Sequence, residues 1–219
     1  MSFDTLASAY PLLERLAAGE KMQRCRTAFL EEIPPPSCVL TLGEGHGRFL
    51  SACRSRFPDA EITCVDSSAE MLRQARRELG RRGLDETRVH LIQSDLLSWA
   101  PPRGVFDLIV THYFLDCFRA DQIALMVPRI AAAALPEASW LLADFQMAAH
   151  GWRRLRSQCI LALMHAFFRV VTRLPARTLT PPEPFLKMEG FQEHRRIEME
   201  WGLMKSAWWR RGAAQSPSP

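Results

Sequence analysis

The chain has 219 residues, 47% of them hydrophobic, enough to bury the core of one large domain. Its formal charge of +4 is modest and, with no zinc-finger spacing and no Lys/Arg-rich tail, gives little support to a nucleic-acid-binding protein. The six cysteines are scattered without a Cys-x-x-Cys pair, which argues against a disulfide scaffold and favours reduced thiols in the cytoplasm. No run of about 18 apolar residues is present, and the N-terminus lacks a basic stretch leading into an apolar signal segment.

Residues 5–31 read as helix, with Leu6, Tyr10, Leu13 and Leu16 at helical spacing, and residues 1–35 as an N-terminal helical cap. Pro34-Pro35-Pro36 ends that region and sets up a first strand over 38–42. The strand runs into Gly43-Glu44-Gly45-His46-Gly47, and a helix is expected over 47–56. Glycines at this spacing let a strand turn sharply into a helix and let a ligand lie against bare backbone. A second strand, 61–65, ends at Asp66, the spacing of a β-α-β unit that delivers a carboxylate to a ribose. A dinucleotide fingerprint would place its third glycine where this chain has Arg48, so a nucleoside ligand other than NAD is expected.

Ser67-Ser68 can cap a helix over 69–82 with Glu70 in its first turn. Its arginines, Arg73 to Arg82, read as a solvated face. A third strand, 89–93, leads to Ser94-Asp95, and a fourth, 106–110, opens into Thr111-His112-Tyr113-Phe114. An apolar helix from Asp121 to about 134 precedes a fifth strand over 140–143, ending at Asp144. Strand–helix units in this succession imply a mostly parallel sheet covered on both faces. A long apolar helix over 152–173 and a Pro-rich loop follow, then strands near 194–200 and 203–209 as an antiparallel edge hairpin. The domain proper is 36–211, with an insertion at about 150–185, and 212–219 reads as a disordered tail.

Glycine loop, Asp66, Ser94-Asp95-Leu96, Phe106-Asp107-Leu108-Ile109-Val110 and Gly190-Phe191 with its hairpin together resemble the class I S-adenosylmethionine-dependent methyltransferases. The resemblance spans about residues 5–210 and is nearest the UbiE-like, type 11/12/25 small-molecule group. It implies a Rossmann-like α/β fold with a seven-stranded sheet and S-adenosyl-L-methionine as cofactor. On that resemblance Gly43, Gly45 and Gly47 approach the methionine portion and ribose, and Asp66 takes the ribose hydroxyls. Ser67 and Met71 border the adenine, Asp95 and Leu96 hold its amino group and cover the ring, and Thr111 and His112 line the floor. Tyr10 would close over the methionine carboxylate. The family's acidic residue two positions before the first glycine is Thr41 here, and Glu44 is the candidate to supply the missing charge near the ammonium.

Methyl transfer needs in-line approach more than acid catalysis. If the acceptor is a hydroxyl, His112 is the first candidate base, followed by Asp144 and His150 after the fifth strand, with Asp116 beside them. No metal-ligand spacing stands out. The apolar 152–174 segment is expected to roof a pocket for an apolar or aromatic small molecule, methylated at oxygen or carbon. RNA or protein methylation, or a non-catalytic cofactor-binding regulator, are the alternatives. A monomer or homodimer and a peripheral membrane contact stay open at this level.

Overall fold

The computed structural model describes residues 19–172 and 179–212. Tyr10, the helical pattern of residues 5–18, Leu174 and the tail 213–219 lie outside the described residues. The elements run α1 (Gly19–Arg26), β1 (Cys38–Leu42), α2 (Arg48–Arg56), β2 (Glu61–Asp66), α3 (Ala69–Arg81), β3 (Val89–Gln93) and β4 (Phe106–His112). They continue with α4 (Ala120–Ala132), β5 (Ala134–Phe145), α5 (Gly151–Thr172), α6 (Glu183–Met188), β6 (Phe191–Met199) and β7 (Met204–Arg211).

The strands form one seven-stranded sheet in the order β3-β2-β1-β4-β5-β7-β6. The first five pair in parallel, and β7 joins β5 and β6 antiparallel, as the hairpin pattern predicts. Alternate residues of each strand feed alternate faces. Val39, Ile62, Cys64, Leu108 and Val110 pack against Phe49 and Leu50 of α2 and Leu72 and Leu79 of α3. Leu40, Leu42, Ile109, Trp140 and Leu142 pack against Ile123, Met126 and Ile130 of α4 and Leu186 of α6. The chain leaves β1 towards β2 on one side, and the order reverses between β1 and β4. Such a switch point opens a crevice at the carboxyl ends of the strands.

Local chemistry explains the element ends. Ser68 caps α3, its side chain accepting from the Met71 N–H. The arginines of α3 form ion pairs with Glu70, Glu78 and Glu86, the solvated face expected from the sequence. Asp107 accepts from the backbone of Ser37 and Cys38 at 2.7 and 3.0 Å, and so ties β4 to the start of β1. All six cysteines are free.

The N-terminal helix ends at Arg26, with turns over 27–32, rather than at 31, and three further elements differ from the sequence expectation. The fifth strand starts at Ala134 rather than 140, because Phe106 pairs with Ala134 across a register shift that absorbs Pro136 and Glu137. A short helix, α6, sits in the Pro-rich stretch, with Pro184 near its start, where the missing N–H costs nothing. The third is α5. Its described inner face is Ser157 and Leu161, with Ile160 and Met164 partly covered, whereas Leu155 and Leu163 are 65% and 72% exposed. The side expected to roof a pocket is therefore open along 152–163.

Candidate functional site

The loop after β1 carries three left-handed glycines with three different surroundings. A Cβ on Gly43 would lie 2.4 Å from the Phe114 ring, and one on Gly47 would lie 2.6 Å from Cα of Ala75 in α3. Both glycines exist for close packing. At Gly45, with φ +69°, nothing stands within 4 Å of where a Cβ would be. That bare backbone faces open space, the condition a ligand cradle needs.

Asp66, at the end of β2, turns towards this loop. Its carboxylate accepts from the Gly45 N–H at 3.1 Å and from the Ser68 N–H at 2.9 Å. A carboxylate oxygen can accept more than one hydrogen bond. Ser94 N–H bonds the Asp66 carbonyl at 3.1 Å, which brings Asp95 and Leu96 to the same end of the sheet. Asp95 is exposed and caps its own turn at the Leu97 N–H, while Leu96 and Met71 are buried and Ser67 is exposed. These residues fit a nucleoside with a free ribose diol: a buried carboxylate, an open glycine and apolar side chains beside an exposed acceptor.

Glu44 folds inward. One carboxylate oxygen accepts from the Phe49 and Leu50 amides, both at 2.9 Å, and the other receives the Thr41 hydroxyl at 3.3 Å. The carboxylate thus caps the N-terminus of α2 and lies beside the position where the acidic residue was missing. Burial pushes its carboxyl up, opposed by the two amides and by the Arg26 guanidinium. Arg26 of α1 is itself buried, over the Tyr113 ring at 5.2 Å.

Thr111 and His112 leave β4 on opposite faces. Thr111 is buried and accepts from Trp140 Nε1 at 2.8 Å. His112 packs edge-on against Phe49 at 4.5 Å, and neither ring nitrogen has a hydrogen-bond partner among the described residues. Burial, and then the charge of Arg26, lowers its pKa well below the usual histidine value. Next to it Tyr113 has φ 52°, a strained conformation for a bulky side chain, and its hydroxyl donates to Met204 Sδ at 3.2 Å.

Asp144 pairs in register with Lys205 of β7, and the alternation along β5 puts it on the face opposite Ala143, the partner of His112. Burial, then the charge of Asp116, holds its carboxyl well above the ordinary range, against Lys205 and the Asp116 backbone. Lys205 is buried and ion-paired with Glu183 of α6. His150 is exposed on the loop before α5. Of the three candidate proton acceptors, His112 and Asp144 are buried at neighbouring strand ends on opposite faces, and His150 is exposed. Arg26 and Lys205 are not legible in the sequence, because a lone cation on a short helix or on one strand of a hairpin carries no spacing signal.

The raised pKa of Asp144 has a stability consequence. Its contribution is fully present below the unfolded carboxylate pKa and is lost as pH rises through the folded value. Asp144→Asn is therefore expected to gain on the wild type as pH rises, by up to about 1.4 kcal/mol per pH unit inside that window. Urea denaturation at several pH values checks this, and parallel curves for the two proteins would contradict it.

Residues 39–137 match the family model described as a methyltransferase domain. The chain is 36% identical over 96 residues to trans-aconitate 2-methyltransferase of Rhodopseudomonas palustris, covering 42% of this chain and 35% of that protein. It is 33% identical over 100 residues to release factor glutamine methyltransferase of Chlorobaculum tepidum, covering 44% and 33%. The chain thus spans about a third of the length of these relatives. The structure of mitomycin 7-O-methyltransferase superposes with TM-score 0.72 at 19% identity, over 96% of this chain and 61% of that one. Strand order, glycine loop and matched segment converge: residues 39–137 match a methyltransferase domain, and the described residues carry the Rossmann-like class I methyltransferase fold.

Proposed function

We propose that the protein transfers a methyl group from S-adenosylmethionine to an apolar or aromatic small molecule, at oxygen or carbon. The observation that carries the cofactor half is the junction of Gly45, open on its outer side, with the Asp66 carboxylate. In this reading Asp66 takes the ribose diol, Gly45 lies against the ligand, and Ser67, Met71, Asp95 and Leu96 surround the adenine. Gly43 and Gly47 hold the loop in shape. Tyr10 keeps its place over the methionine end as an inference from family resemblance. The cofactor supplies an activated methyl on sulfur, and the protein's task is to align the acceptor with it.

Glu44 serves the loop more than the ligand's ammonium, since both its oxygens are engaged beneath the loop. His112 is kept uncharged, so we assign it as a neutral hydrogen-bonding group at the end of β4, on the face opposite Thr111, in preference to a general base. Asp144 is pushed towards its neutral acid and suits donation or anchoring of an acceptor better than proton removal. His150 is the least favoured of the three, being exposed to solvent. The free cysteines support a cytoplasmic setting, and no helix among the described residues is long and apolar enough to cross a membrane.

The matched segment is shared by relatives named for a small acid and for a protein substrate, so it does not select the acceptor. The small-molecule reading rests on the apolar insertion after β5 and on the fold shared with small-molecule O-methyltransferases. The test is incubation with methyl-labelled S-adenosylmethionine and a panel of phenols, quinols and aliphatic acids. Label in the extracted small molecules is expected. Label only in added RNA or protein would favour the alternative enzymes, and cofactor binding without any transfer would favour a regulator.

A further inference from the structure

The outer face of α5 is apolar where a surface helix is ordinarily polar. Trp152, Leu155 and Leu163 are 62%, 65% and 72% exposed, at spacings that put them on one side of the helix, opposite the packed Ser157 and Leu161. Trp201, 55% exposed, extends this patch from the β6–β7 turn, with its ring centroid 6.1 Å from that of Trp152. The turn holds Trp201 out at some cost, for Glu200 and Trp201 have φ 52° and 57°, a region bulky side chains avoid. Arg156 lies over the Trp201 ring at 4.8 Å and Arg153 beside Trp152 at 6.0 Å.

The charge along this segment of the sequence has one sign. From Phe145 to Pro182 the sequence holds six arginines, Arg153, Arg154, Arg156, Arg169, Arg173 and Arg177, and no Asp, Glu or Lys. This segment exceeds the +4 of the whole chain, so the remainder is net negative. We infer that the Trp152–Leu163 face of α5, with Trp201, docks on an anionic lipid surface. Tryptophan and leucine enter the interface while arginines meet the headgroups, the arrangement interfacial helices use. A second copy is a poorer occupant. Bringing two such faces together sets arginine against arginine with no acid in the segment to pair them.

The docking does not depend on methyl transfer. Only its corollary does: a face beside the insertion that follows β5 would let apolar acceptors enter from the bilayer. The test is co-sedimentation of the full chain with phosphatidylcholine vesicles, with and without phosphatidylglycerol, with S-adenosylhomocysteine binding and mass by light scattering read on the same samples. The wild type should pellet with the anionic vesicles only and be released by salt. Trp152→Ser with Leu155→Ser, and separately Arg153→Gln with Arg154→Gln, should each weaken vesicle binding more than tenfold and leave homocysteine-nucleoside binding unchanged. Absence of wild-type binding, or binding that both variants retain, would overturn the proposal. A dimer mass that the Trp152/Leu155 variant reduces to a monomer, without vesicle binding, would assign the face to a second copy instead.

Discussion

Gly47→Ala is expected to destabilise the protein by roughly 2–5 kcal/mol, while Gly45→Ala leaves it folded and removes cofactor binding. At Gly47, φ is +84° and the new methyl would sit 2.6 Å from Cα and 2.9 Å from Cβ of Ala75, inside the contact between α2 and α3. Neither atom can move without shifting a helix. Left-handed strain of about 1–2 kcal/mol adds to the overpacking. Gly45 bears only that strain, since its outer side is empty, but a methyl there occupies the space assigned to the ligand. Urea denaturation and S-adenosylhomocysteine titration on both variants separate the two roles. A Gly45→Ala protein that binds the nucleoside normally would remove Gly45 from the site.

Asp66→Ala is expected to weaken S-adenosylhomocysteine binding by about 1.5–3 kcal/mol, through loss of a charged acceptor for two hydroxyls. Because Asp66 also accepts from the Gly45 and Ser68 amides, a smaller loss of stability should accompany it. Asp66→Asn keeps one acceptor oxygen and should fall between the two in both measurements. Calorimetry on folded variants gives the answer, and an unchanged dissociation constant for Asp66→Ala would rule out the ribose contact.

The parts of this fold that sequence exposes are those with local signals. The apolar runs at 38–42, 61–65 and 89–93 are strands because nothing else suits short β-branched runs between turns, and the glycine loop and Asp66 follow from spacing. The beginning of β5 escaped because its pairing partner, Phe106, is distant in sequence and the intervening Pro136 reads as a break. The exposed side of α5 escaped for another reason. Apolar residues spread over much of the helix circumference, so periodicity cannot choose which side packs.

In the proposed site, the glycines and Asp66 are legible as a motif, whereas their support is not. Spacing could not tell Gly45, open to solvent, from Gly43 and Gly47, closed by Phe114 and Ala75. Nor could it show that Glu44 would turn under the loop to cap α2, since that depends on Phe49 and Leu50 presenting free amides to it. The buried Lys205–Glu183 pair joins β7, an inner strand of the sheet, to a helix that the prolines conceal. Asp144 looked like a base because it ends a strand at the active edge. Its burial, which pushes it towards the neutral acid, exists only once β7 and the Asp116 turn are in place.

The most direct measurement is a crystal structure with S-adenosylhomocysteine bound. The account predicts both ribose hydroxyls within hydrogen-bond distance of Asp66, the ligand passing over Gly45, the adenine between Met71 and Leu96, and the sulfur facing the end of β4. A nucleoside bound elsewhere, or ribose hydroxyls out of hydrogen-bond reach of the Asp66 carboxylate, would contradict it.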